Sequence, residues 1–449
     1  MTYITVMDTR TAQALIRFGL GRRGTEPLPA DPAAWLARQL DGPDPALSLP
    51  GSSTADGLIA LREDRRQRAN MKLEGPAPET PPADARPHRG RDLVKADGAA
   101  LVDYVLTTDQ PFRERLVWFW ANHFTVSLRR GEVAPVIMPF IREAIRPYVT
   151  ARFVDMLFAV MKHPAMLMYL DNAGSVGPDS PDGLRSHRGL NENLARESLE
   201  LHTVSPDAGY TQQDVTEYAK ILTGWTFDMN LNPPQFVFRL NTHEPGPKKL
   251  MGQVFPHGAA GGVAALAWLA DHPATHRHLA LKLVRHFVAD TPPPDAVARI
   301  EAVLRDTRGD LKAASLELIR LPGAWQPLTK LRSPMDYVIA VMRALDFPPD
   351  KRPDLNGVMA NLGQPALNAP LPNGWPDTAA EWNGSEAMLR RVDWSYTVAA
   401  RATEVDPMQV ATDALGPLAG ADMLDAIRHA GSRRDALTLL LASPEFMRR

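Results

Sequence analysis

The 449-residue chain contains no cysteine. That excludes disulfides, thiolate nucleophiles, Cys-ligated zinc and iron–sulfur clusters, so a bound metal would need His, Asp, Glu or backbone oxygen. An excess of charge of either sign is also missing: 50 Lys and Arg stand against 52 Asp and Glu. Neither nucleic acid nor an anionic membrane is therefore expected as a partner. No run of about 18 apolar residues occurs, so no membrane-spanning helix is expected. The opening "MTYITVMDTRTAQALIRFGLGRRGT" has no continuous apolar stretch after a basic start. No signal peptide is visible in it, and the chain reads as cytoplasmic, with export alongside a partner left open. Familiar catalytic fingerprints are absent too: no G-x-S-x-G elbow, no G-x-x-x-x-G-K-[ST] phosphate loop and no H-E-x-x-H. The piece "GLGRRG" (19–24) lacks the preceding strand that a dinucleotide site needs.

Proline, by contrast, is abundant, with 41 residues, and it clusters. "EGPAPETPPADARPHRG" (74–90) cannot hold a regular helix and reads as a connector. Between such breaks the apolar periodicity predicts helices over 9–18, 31–40, 53–73, 92–107, 111–127, 135–148, 151–161, 191–203, 211–223 and 259–270. It continues with 274–288, 294–305, 309–320, 332–346, 384–403 and 419–431, then a last helix in the terminal stretch. Pro111 suits a first helical turn, and Thr211 with Asp214 three residues on suits a capped start. The one strand signal is "QFVFRL" (235–240), inside a Gly/Pro-rich segment at about 226–258 that is long for a connection. The fold class expected is mainly α: a large multi-helix globular fold with long Pro/Gly-rich loops and at most a minor β-hairpin. Its expected organisation is an N-terminal helical segment (1–73), the Pro-rich connector (74–91) and a main helical domain (92–449) with a loop-rich insertion at 226–258.

The stretch "RGLNENLARESLELHT" (188–203) carries the densest polar chemistry. At 100° per residue, Asn193, Glu197 and Glu200 fall within roughly 60° of one another, on a face shared with Leu190, Leu194 and Leu201. Carboxylates among leucines either pair with a cation or bind a metal, because an isolated buried charge costs several kcal/mol. His202 points away from that face in a straight helix and joins it only if the helix unwinds near Thr203. His123, in "RERLVWFWANHFTVS", lies on a helix that is apolar all round and should be buried, with Asn122 or a carboxylate as a partner. His286 sits on a similar stripe with Leu279 and Leu283. His243 lies in the long loop, where catalytic groups are often delivered. Asp171 and Asn172 follow an apolar helix as a metal-binding turn or simply a C-cap, and the histidines of "HPATHRH" (272–278) open a helix and read as solvated. Plainer readings stand beside each: ion-paired glutamates, satisfied core histidines, an exposed loop histidine.

At these residues the sequence resembles the bacterial DUF1800 family, a domain of unknown function. The resemblance rests on "ALIRFGLG", "PFRERLVWFWANHFTVS", "HPAMLMYLDNAGSVGPDS", "RGLNENLARESLELHTVSPDAGYTQQDVTEYAKILTGWTF", "HEPGPKKLMG", "LALKLVRHFVAD", "LRSPMDYVIAVMRAL", "LGQPALNAPLPNGWPD" and "LLLASPEFMRR", in this order along nearly the whole chain. It implies a mainly helical protein and a partnership with DUF1501-like proteins, exported and similar to the sulfatase and alkaline-phosphatase superfamily, whose genes often accompany those of the family. It implies no established reaction. Ser198 and Ser205 depart from the family pattern beside His202.

Two functions are consistent with these residues. The first is a metal-dependent enzyme on a helical scaffold. His123, Glu197, Glu200 and His243 would bind a divalent metal ion, and Glu197, Glu200, His202, Asn191 and Asn193 would form the catalytic set. Its requirement is that the two imidazoles stand beside the two carboxylates. The second is a non-catalytic partner or scaffold acting with a DUF1501-like protein, in which the polar residues of 191–202 form a buried network.

Overall fold

A computed structural model describes residues 7–73, 89–186 and 188–449. The proline-rich connector at 74–91 lies outside the described residues except for 89–91, which open the helix Arg89–Thr107. Among the described residues there are 22 α-helices, and strand is confined to two short antiparallel pairs. The fold is mainly α. No helix of the described residues is long and apolar enough to cross a membrane.

Much of the proline is used to start helices. Pro111–His123, Pro164–Tyr169, Pro273–Phe287, Pro334–Leu345 and Pro407–Leu415 all begin on it, where the ring fixes φ and the missing N–H costs nothing. Thr211 forms the expected capping box with Asp214 at the start of Gln212–Leu222. Both strand pairs fall in the 226–258 region or at its edge: Trp225–Asp228 with Gln235–Phe238, and Lys248–Leu250 with Gln253–Phe255.

The apolar side chains form two cores. The larger is built from helices between Ala14 and Ala324 and contains Phe112, Trp120, Phe153 and Phe287. The smaller collects Val338, Leu355, Trp394, Leu415 and Phe446 from the C-terminal helices. The N-terminal helix joins them, with Ala14 and Phe18 in the first core and Ala12, Leu15 and Ile16 in the second.

Buried arginines stitch the seam. Arg17, fully buried, donates to the carbonyls of Phe287 (3.1 Å) and Val288 (2.8 Å) and so caps the C-terminal end of Pro273–Phe287. Arg115 donates to the Gly19 carbonyl (2.8 Å) and to both oxygens of Asp336 (2.9 and 3.1 Å), linking a helix of the first core to one of the second. Such charged bonds hold only because both members are satisfied.

Candidate functional site

The polar residues of 191–202 do not assemble as the metal reading requires. The helix runs only from Asn193 to Glu197, and Ser198–His202 widens into a π-turn. The wider turn changes the angular step per residue, and His202 turns fully inward against Phe124, with ring centroids 5.0 Å apart. Glu197 and Glu200 stay half-buried, and among the described residues neither carboxylate accepts a hydrogen bond. Burial raises the Glu197 carboxyl above its ordinary pKa, the neighbouring Glu200 charge adds to this, and Arg196 offsets part of it. Asn191 is a turn residue: its side-chain oxygen accepts the Asn193 backbone N–H at 2.9 Å.

The proposed metal ligands stand in three places. His123 is buried as expected and donates Nε2–H to the His202 carbonyl at 3.2 Å. His243 is buried, not exposed, with both ring nitrogens engaged. Its Nδ1 donates to the Thr223 carbonyl (2.8 Å), and its Nε2 accepts from Lys248 Nζ (3.1 Å) and the Gly258 backbone (3.0 Å). A nitrogen whose lone pair already serves two donors is not free to coordinate a cation. Among the described residues, no group of three or more His, Asp or Glu side chains is placed to hold a metal ion. Of the set His123, Glu197, Glu200 and His243, His123 stands at a cavity on the seam of the two cores, Glu197 and Glu200 are half-buried on the 191–203 stretch, and His243 ties down the 226–258 region.

What the fold does bring together lies at the seam of the two cores. A cavity of about 450 Å³ is bounded by Pro111–His123, Pro273–Phe287, Pro334–Leu345 and the Gly/Pro-rich segment ending at Asp377. That volume is of the size that holds a small molecule. Pro273–Phe287 supplies its polar wall, because His278, Lys282, Arg285 and His286 recur at helical spacing on one face. Opposite them, Asn122 clasps the segment at Trp375. Its amide nitrogen donates to the Trp375 carbonyl (2.9 Å) and its oxygen accepts the Trp375 N–H (2.7 Å). Gly374 has φ +78°, and a Cβ there would stand 2.6 Å from the Asn122 carbonyl, so this close approach needs glycine. The clasp delivers Asp377 to His286, whose Nδ1 lies 2.7 Å from the Asp377 carboxylate.

Four cationic side chains line the cavity (Arg115, Lys282, Arg285 and Arg449) against two carboxylates, Asp336 and Asp377. Both carboxylates are committed. Asp336 binds Arg115 and lies 3.2 Å from Arg449 Nε. Asp377 meets His286, with Lys330 Nζ 3.7 Å away. Burial alone would raise both acids. The charges of Arg115 and Arg449 around Asp336, and the His286 N–H with the charges of Lys330 and Arg449 around Asp377, instead hold both well below the usual carboxylate range. Lys282 and Arg285 are different: among the described residues neither has a hydrogen-bond or ion-pair acceptor. Burial pushes the Lys282 ammonium down to about 8, and the Arg285 charge adds to that, against the pull of Asp377.

The histidines of the cavity are neutral bases at neutral pH. Burial pushes His278 down to about 4, with Lys282 adding to it, and His123 well below its ordinary value for the same reasons. His278 donates Nε2–H to the Leu201 carbonyl (3.0 Å), leaving Nδ1 as the lone pair. Burial also lowers His286, and its Nε2 has no partner while Nδ1–H faces the Asp377 carboxylate. The arrangement can therefore hold an anion on Lys282 and Arg285 and present unprotonated imidazoles to it.

Lys282, Arg285 and Asp377 are not among the residues the sequence singles out, and His278, expected to be solvated, is part-buried instead. Lys282 and Arg285 carry a signal, the 4, 7 and 8 spacing from His278 through His286, which the apolar stripe of the same helix masks. Asp377 had none beyond its turn-rich setting.

None of the curated proteins and none of the solved structures compared with the chain matches it. A family model described as "Protein of unknown function (DUF1800)" matches residues 13–448, nearly the whole sequence that builds both cores and the cavity between them, and the chain belongs to that family.

Proposed function

We propose that this protein is an enzyme that binds an anionic small molecule, a carboxylate or phosphate, in the seam cavity and moves a proton on it with neutral histidines. One observation carries the reading: Lys282 and Arg285 face a 450 Å³ cavity without a protein acceptor. Two part-buried cations of like charge, three residues apart on one helix face, have no protein counter-charge in hydrogen-bond or ion-pair contact among the described residues. An anion bridging them supplies it, and the low-dielectric walls of the cavity strengthen the attraction. His278 and the His286–Asp377 pair then serve as candidate bases, Asp377 fixing the tautomer of His286.

The test is titration calorimetry with inorganic phosphate and with acetate. Binding of at least one is expected, weakened roughly 10- to 100-fold by Lys282→Met and by Arg285→Ala, as for loss of a charged hydrogen bond. Absence of binding, or binding untouched by both substitutions, overturns the reading. A scaffold acting with a DUF1501-like protein needs no such site, so the same titration separates the two functions.

A second reading keeps the chemistry at Glu197 and Glu200, with Asn191 and Asn193 from the same stretch and with His202, turned inward against Phe124, acting only from behind them. The burial of Glu197 beside the like charge of Glu200, which raises its carboxyl above the ordinary value, favours it, since burial and like charge are how carboxyls are tuned for acid–base work. A divalent metal would then be taken by the carboxylate pair rather than by His243. Glu197→Gln would abolish activity under this reading and leave anion binding at Lys282 intact.

A further inference from the structure

A second cavity, of about 430 Å³, adjoins the first. Trp118, Met335, Ile339, Ala366 and Leu367 line both, so one thin wall of side chains separates them. The second cavity has the opposite chemistry. Val94, Leu101, Val102, Val338, Leu355 and Met359 surround it, and among the described residues no charged side chain lines it. Val94, Leu101 and Val102 are only part-buried along it, so this is an apolar cleft that reaches solvent, and a hydrocarbon chain laid in it would remove that apolar surface from water.

We propose that the substrate is an amphiphilic anion, with its carboxylate or phosphate head on Lys282 and Arg285 and an unbranched hydrocarbon chain in the apolar annex. The inference rests on the anion-site reading above and adds the chemical class of the rest of the molecule. The shared wall suits such a passage. Met335 is an unbranched, adaptable side chain, and Trp118 offers a ring face together with an indole N–H that has no acceptor. If a methylene takes up the ~30 Å³ of a liquid water, the annex holds a chain on the order of ten carbons. The two cavities together stay within the roughly 300–1,000 Å³ typical of small-molecule sites.

The experiment titrates the intact protein with two series below their micellar concentrations: acetate, hexanoate and decanoate, and methyl, butyl and octyl phosphate. Affinity is expected to rise about fourfold per added methylene in at least one series, the factor that burying a methylene supplies. The series that rises identifies the head group. Val102→Trp and Met359→Trp, which fill only the annex, should flatten the rise while leaving the short members bound as in the wild type. That retained binding also shows that the variants fold. Affinity independent of chain length in both series overturns the annex and leaves the anion site standing. Failure of the short members to bind removes the anion site itself. Long-chain binding that Lys282→Met does not weaken shows a separate apolar site and overturns the proposal as well.

Discussion

At the scale of single residues, the histidines around the cavity make acid stability a sharp test. Burial pushes His202 down to about 3, whereas an unfolded histidine titrates near 6.5. Between those values the unfolded chain binds a proton that the folded chain refuses, so stability is fully present above pH 6.5 and is lost as the pH falls. Neither His202 ring nitrogen has a partner among the described residues, so the ring contributes little at neutral pH beyond its packing. His202→Phe should therefore be neutral or stabilising at pH 8. At pH 5 its advantage over the wild type should grow by about 2 kcal/mol in urea unfolding. An advantage that does not change with pH would show that His202 is not held neutral. Lys282 gives the complementary dependence for binding. With its ammonium lowered to about 8, it loses charge as the pH rises through that value and no longer attracts the anion. Affinity should fall about tenfold between pH 7 and 9.5 in the wild type. It should stay flat over that range in Lys282→Met, and equal slopes would exclude Lys282 as the titrating partner.

At the scale of elements, the Asn122 clasp governs the site. Asn122→Ala removes two hydrogen bonds to Trp375, worth about 2 kcal/mol together, so hydrogen exchange across 371–378 should accelerate by roughly thirtyfold. The displaced Asp377 would then no longer fix His286. Unchanged protection of that segment would mean that other contacts hold it. Elements are also where the sequence spoke most clearly. The predicted 111–127, 211–223 and 294–305 correspond to Pro111–His123, Gln212–Leu222 and Pro294–Asp306, because prolines, caps and apolar periodicity are local signals. The stretch 191–203 was less readable. A template of 100° per residue assumes an α-helix throughout, and the π-turn at Ser198–His202 breaks it just where the fate of His202 is decided. His278 was misread as solvated for a different reason: the Leu201 carbonyl that holds it comes from another part of the chain.

At the scale of the whole molecule, the site exists because two cores meet, and that meeting joins residues far apart in sequence. His286 and Asp377 are 91 residues apart, and Arg115 and Asp336 are 221 apart. No periodicity encodes such pairs, so the chemistry was hidden while the helices that carry it were evident. Asp336 is the main electrostatic tie across the seam, and its pKa is depressed by Arg115 and Arg449 against the effect of burial. Its contribution to stability is present above its unfolded value and is lost on acidification. Asp336→Asn leaves the buried Arg115 guanidinium without its counter-charge, and Arg449 with only Asp377 at 3.9 Å, and should destabilise the protein by about 3 kcal/mol in urea unfolding at pH 7. A loss below about 1 kcal/mol would show that the seam is held by packing alone. The central claim, that the cations of the seam await an anion, is tested most directly by diffraction from crystals soaked in selenate. The account predicts an anomalous peak in the cavity within hydrogen-bonding distance of both Lys282 Nζ and the Arg285 guanidinium. Peaks only on the outer surface, with the cavity holding no anion, would contradict it.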